Sequence, residues 1–106
     1  MGKNPFVDCL GFDWDEWNSG EIWERHRVTP EEAEDVFFHD PFVLKGDTGH
    51  SATEIRYGVL GQTANGRRLF VAFTVRGKLI RVISARDMNQ KEDREHQRHE
   101  ESDSRV

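Results

Sequence analysis

The chain has 106 residues, 35% apolar and 33% charged, with a formal net charge of −5. That length supplies one domain with a modest core and excludes two, while three Trp and seven Phe argue against a disordered chain. A single cysteine, Cys9, excludes an intrachain disulfide framework and a multi-cysteine zinc site and points to a reducing cytoplasm; no window approaches the roughly 18 apolar residues of a membrane helix, and no signal-peptide core is visible.

Residues 1–11 read as a flexible leader punctuated by Gly2, Pro5 and Gly11, with fraying expected ahead of Phe12. Phe12, Asp13, Trp14 and Asp15 alternate apolar and polar, as in a short edge strand. A helix is expected over Glu16–His26, capped by Asp15, with Ser19, Ile22, Trp23 and His26 on one face and Gly20 weakening it. The next helix has a sharper start: Thr29 caps it, Pro30 takes the first position, and Glu32 closes a capping box. Ala33, Val36 and Phe37 form its buried face, and it stops before Asp40-Pro41.

Beyond Pro41 the pattern turns to strands. Residues 42–44 form a short one, 46–50 a polar loop, and runs at 54–60, 68–75 and 79–85 follow, separated by turn signals at Asn65-Gly66 and Arg76-Gly77. An antiparallel meander is expected. Two-residue turns would set Tyr57, Thr74 and Leu79 in one row and Ala72 opposite Arg81, and plain alternation would send Arg81 and Arg86 to opposite faces unless a bulge intervenes. Asn89 and Glu92 can cap a last helix, but 89–106 is a polar tail with no apolar face and is expected to be solvated and frayed. The expected fold class is α+β, with residues 12–88 as the single folded domain.

Charge is distributed unevenly. Residues 67–86 carry six Lys or Arg and no acid, whereas residues 1–66 carry 5 basic and 13 acidic side chains. A cationic strip on an acidic chain is what a site for a phosphate-rich ligand requires, because screening makes local charge outweigh distant charge.

In order, FDWDE, ERHRVTPEEAEDVF, the Arg-Tyr that opens the central strand, and the ending RVISAR resemble the BrnT family of toxins from type II toxin–antitoxin systems, over about residues 12–96. The resemblance implies a RelE-like fold, two N-terminal helices on an antiparallel sheet, and an RNA-cleaving activity that stops translation. It also implies a small antitoxin, BrnA, that holds the toxin inactive in a hetero-oligomer and supplies the DNA contact to the operator. Where family sequences usually have Lys, Asn and Gly, this chain has Asn18, Ile22 and Arg27. A Tyr is also common where the tail here has His96 or a neighbour, and the missing Lys and Tyr motivate an alternative reading: a catalytically weak binding module that keeps the antitoxin contact and operon repression.

Metal-independent RNA cleavage needs a base, an acid, and cations aimed at the phosphate. Arg81, Arg86 and Arg56 are the candidate phosphate grips, since a guanidinium can hold a phosphate bidentately. The bland alternative is a set of solvated, edge-protecting charges. His26, which corresponds to the family's His, is the leading proton carrier, with a helix C-terminal partner role as its competitor. Glu54 is a second candidate base. Arg76, Lys78, Thr74 and Ser84 are candidate RNA contacts. His96 and His99 fall in the expected frayed tail; Trp14, Trp17 and Trp23 suit core and antitoxin contacts more than base stacking. Cys9 is not expected to be a nucleophile. No cofactor motif is present, and His39-Asp40 with Asp47 and His50 make too sparse a set for a metal.

Overall fold

The computed structural model describes residues 5–44 and 54–104, with side chains as far as Glu101. Within them run β1 (Gly11–Phe12), α1 (Glu16–His26), α2 (Pro30–Val36), β2 (Phe42–Val43), β3 (Tyr57–Gln62), β4 (Arg68–Arg76), β5 (Leu79–Asp87) and α3 (Gln90–Ser104). The loop expected at 46–50, with Asp47 and His50, lies outside the described residues.

The helix starts follow the local chemistry. Asp15 accepts from the Asn18 backbone N–H at 3.0 Å while Asn18 Oδ1 accepts from the Asp15 N–H at 2.8 Å, so α1 opens on a reciprocal cap. Thr29 and Glu32 do the same for α2, at 3.1 and 3.0 Å.

The sheet order is β1-β5-β4-β3-β2. Strands β3, β4 and β5 form the expected meander, but β1 pairs parallel to β5, so the sheet is mixed rather than antiparallel throughout. Leu10 and Asp13 donate to Lys78 O and Ile80 O at 2.7 and 2.8 Å and seat β1 on the outer edge of β5. Strand alternation carries no information on the direction of a partner, which is why only the structure shows this.

One sheet face meets α1 and α2. Ile22, Val28, Ala33, Val36 and Phe37 pack there against Val59, Leu69, Val71, Phe73, Ile80, Val82 and Ala85. Gly61 lets α2 approach: a Cβ there would lie 2.8 Å from Val36 Cγ1 and 3.0 Å from Val36 O. Phe6 stands edge-on to Phe37 and Phe73, with ring centroids 5.1 and 6.0 Å away, so packing begins ahead of Phe12, where fraying was expected. Trp14 joins this core and donates to Glu34 at 2.7 Å, but Trp17 and Trp23 lie outside it, 73% and 46% exposed.

The register differs from the sequence expectation. Tyr57 sits opposite Phe73, Phe73 opposite Val82, Thr74 opposite Arg81, Ala72 opposite Ser84 and Phe70 opposite Arg86, with a bulge after Ala72. Because Thr74 and Phe70 are four residues apart on a regular strand, their partners Arg81 and Arg86 share a face. Plain alternation fails there by one residue, and the buried set Ile80, Val82, Ala85 shows the same shift.

Helix α3 covers part of the second face and is not a solvated tail. Asn89 and Glu92 cap it reciprocally at 2.8 and 3.0 Å. Lacking an apolar stripe, it is fastened by polar groups. Asp93 accepts from Arg68 at 2.5 Å, Glu92 takes both Arg86 nitrogens at 2.8 and 2.9 Å, and His96 is 1% exposed with Nδ1 2.8 Å from Arg68. The expectation of fraying considered only apolar burial as an anchor.

Candidate active site

Strand β1 covers β5 only at Leu79 and Ile80, and α1 takes over the remaining outer edge. Asn18, 3% exposed, donates to Val82 O at 3.1 Å and Asp13 O at 3.0 Å, supplying the ladder contact where β1 ends. At the far end of α1, Arg67 donates to His26 O at 3.1 Å and Arg27 O at 2.8 Å, satisfying carbonyls that a helix terminus leaves open. The same guanidinium binds Asp87 at 2.8 Å and Glu32 at 3.1 Å. Its hydrogen bond holds the Asp87 carboxyl below the usual carboxylate range, against burial, and His26 adds to the effect.

Between α1 and β5 lies a groove of about 270 Å³, lined by Trp17, Glu21, Arg25, His26, Ile83 and Ser84, with Ile22 at its base. Two candidates, His26 and Ser84, 58 residues apart in the chain, therefore line one groove. His26 is half-buried.

A second group gathers at the hairpin end of the sheet. Arg76 binds Glu54 at 2.5 and 3.3 Å and is the chief reason that carboxyl sits below the usual range, with Arg56 and Arg81 contributing their fields. Arg81, with 14% of its side chain exposed, reaches Asp15 at 3.0 Å and Asp13 at 3.5 Å. The Asn18 N–H chiefly, then Arg81, keeps the Asp15 carboxyl low against desolvation.

Each arginine of residues 67–86 thus has a carboxylate partner: Glu32 and Asp87 for Arg67, Asp93 for Arg68, Glu54 for Arg76, Asp13 and Asp15 for Arg81, Glu92 for Arg86. The strip is not the bare cationic surface that its sequence suggests, because acids distant in sequence fold onto it. Among the described residues, Arg56 and Lys78 are exposed and make no ion pair. Arg81 and Arg86 share a face but stand about 13 Å apart along it, so they cannot be presumed to grip one phosphate. Arg86 also lies over the Phe70 ring at 4.5 Å. Thr74 is 2% exposed and donates to Ile55 O at 2.8 Å; it fills a strand position and offers no free hydroxyl to RNA.

Sequence reasoning passed over Asn18 and Arg67 as fasteners and Trp17 as a groove wall. The sequence carried no signal for Trp17: the face expected through Ser19, Ile22, Trp23 and His26 differs from the buried pair Asn18 and Ile22, because a polar Asn is buried by its backbone contacts while Trp23 is 46% exposed. Burial and then Asp8 raise the Cys9 thiol pKa. Among the described residues no three His, Cys, Asp or Glu side chains converge as metal ligands, and no helix is long and apolar enough to cross a membrane.

The family model described as "Ribonuclease toxin, BrnT, of type II toxin-antitoxin system" matches residues 14–92. The chain belongs to the BrnT family. No curated protein matches it. The matched span takes in this toxin's groove, the hairpin group apart from Asp13, and the first turn of α3. Membership in a type II system implies a protein antitoxin as partner, and the family's activity is that of a ribonuclease.

Proposed function

We propose that this BrnT toxin is a metal-independent endoribonuclease on a RelE-like fold, acting in the cytoplasm to stop translation and neutralised by a small BrnA-like antitoxin. The antitoxin would carry the operator contact. The observation that supports this most is the groove between α1 and β5, which both His26 and Ser84 line.

The reaction is an in-line displacement. The RNA 2′-oxygen bonds to phosphorus as its proton passes to a base, and the P–O5′ bond breaks as an acid protonates O5′. His26 serves as one proton carrier, the role imidazoles most often fill in such reactions. Ser84 can donate to a non-bridging oxygen of a phosphate held at His26. Arg56 and Lys78, which make no ion pair among the described residues, attract the backbone. Glu54, kept ionised by Arg76, and Arg81 stand at the Asp15 end of α1, about 16 Å from His26; there Glu54 is the alternative base and Arg81 exchanges Asp15 for phosphate, serving a phosphate bound at that end instead. Arg86 contributes only if Glu92 releases it.

One observation favours the binding-module reading: the arginines of the strip are already neutralised, and Asn18 is spent on backbone contacts. Expression of the toxin alone separates the two. Growth arrest rescued by the neighbouring antitoxin, and relieved by joint Arg56→Ala and Lys78→Ala substitution, supports the ribonuclease. Antitoxin binding without arrest supports the module.

A further inference from the structure

We propose that the α1–β5 groove is a nucleobase subsite in which Trp17 stacks on a guanine of the RNA and the Glu21–Arg25 pair reads its edge, an inference that rests on the ribonuclease reading above. Trp17 is 73% exposed while its neighbours Asn18 and Ile22 are 3% and 1% exposed, so the indole lies beside the core without being used by it. Other exposed aromatics have close partners: the Arg27 guanidinium lies 5.2 Å over Trp23, and Phe38 meets Phe12 at 6.1 Å. Trp17 instead walls a cavity that also holds His26 and Ser84. An indole face is a sequence-tolerant platform for a base.

Selectivity comes from the polar wall. Glu21 Oε1 and Arg25 Nε are 2.7 Å apart one helical turn along α1, and the arginine is 72% exposed. A carboxylate acceptor beside a guanidinium donor complements the guanine Watson–Crick edge, whose N1–H and N2–H donate while O6 accepts. Uracil offers one donor between two acceptors, and cytosine and adenine offer no pair of donors at neighbouring ring positions. Single-stranded RNA exposes these edges for reading. Stacking at Trp17 would bring the adjoining ribose phosphate to His26 and Ser84.

The test uses 2′-O-methyl hexamers, which lack the attacking hydroxyl, with the sequences UUGUUU, UUAUUU, UUCUUU and UUUUUU. The anisotropy of a dye on the 3′ end of each hexamer reports binding to the antitoxin-free toxin and its variants, with tryptophan emission of the wild type as a second signal. The expected result is tightest binding of UUGUUU, weakened about 5–150-fold by Trp17→Ala, largely retained in Trp17→Phe, and levelled across the four sequences by Glu21→Gln. Equal affinities of wild type and Trp17→Ala would overturn the subsite, as would emission changes on adding antitoxin but with no hexamer. If wild type cleaves RNA and Trp17→Ala does so with the same kcat/KM and base preference, the subsite alone fails. If wild type neither binds the hexamers nor cleaves RNA, the ribonuclease reading fails with it.

Discussion

Arg27 follows α1 with φ 54° and ψ 40°, the left-handed conformation of a helix C-terminal stop. A side chain with a Cβ pays about 1–2 kcal/mol there, and glycine does not. A Gly at this place, which the resemblance implies for relatives, would answer a backbone demand and not a chemical one, so Arg27 bears on stability. Arg27→Gly is expected to stabilise the toxin by about 1 kcal/mol, after allowance for the exposed contact with Trp23. A urea titration checks this: the midpoint should rise with the slope unchanged, and a fall would contradict it. Residues with local roles were legible in the sequence. Asp15, Thr29 and Asn89 cap their helices within three residues, so spacing alone identifies them. The acidic partners of Arg81 and Arg67 were not legible, because Asp13 and Asp15 reach back from the other end of the chain and Glu32 from another helix.

Among the elements, α1, α2 and the meander could be read from periodicity and turn chemistry, whereas the bulge in β5 and the docking of α3 could not. A single extra residue leaves no trace in a pattern of half-buried side chains, yet it decides that Arg81 and Arg86 share a face. Docking of α3 depends on His96. The guanidinium of Arg68 can only donate, so His96 Nδ1 accepts, the ring is neutral, and its proton sits on Nε2, which has no hydrogen-bond partner among the described residues. Burial chiefly, with Arg68 and His99, lowers its pKa below 6.5 against the opposing fields of Glu100 and Asp40. A depressed histidine contributes stability that is complete above the unfolded pKa and is lost as pH falls from there through the folded one. The Glu92 carboxyl behaves likewise at lower pH. Burial opposes its charge, but Arg86 and the Asn89 N–H keep it below 4.5, so its contribution disappears only as pH falls below that value. Amide exchange in α3, corrected for intrinsic rates, should therefore quicken between pH 7.5 and 5.5, ahead of the carboxylates. His96→Asn keeps an acceptor toward Arg68 without a titrating ring and should flatten that response. Equal protection of wild-type α3 at both pH values would contradict the role of His96.

For the whole molecule, the charge asymmetry of the sequence falls on β4 and β5 but does not describe their electrostatics, because distant acids pair with their arginines. Fold class, helix limits and meander order follow from local rules. Which cations remain unpaired, and which side chains share a cavity, depend on contacts between distant segments. The groove between α1 and β5 is where those contacts place His26, and a cleavage site there is the central claim. Its most direct test is incubation of purified, antitoxin-free toxin with a defined single-stranded RNA in the presence of a metal chelator. Wild type should cut internal bonds and leave 2′,3′-cyclic phosphate ends, while His26→Ala should be slower by about 10²–10⁴-fold with an unchanged melting temperature. Intact RNA with wild type, or undiminished cleavage by folded His26→Ala, would contradict the account.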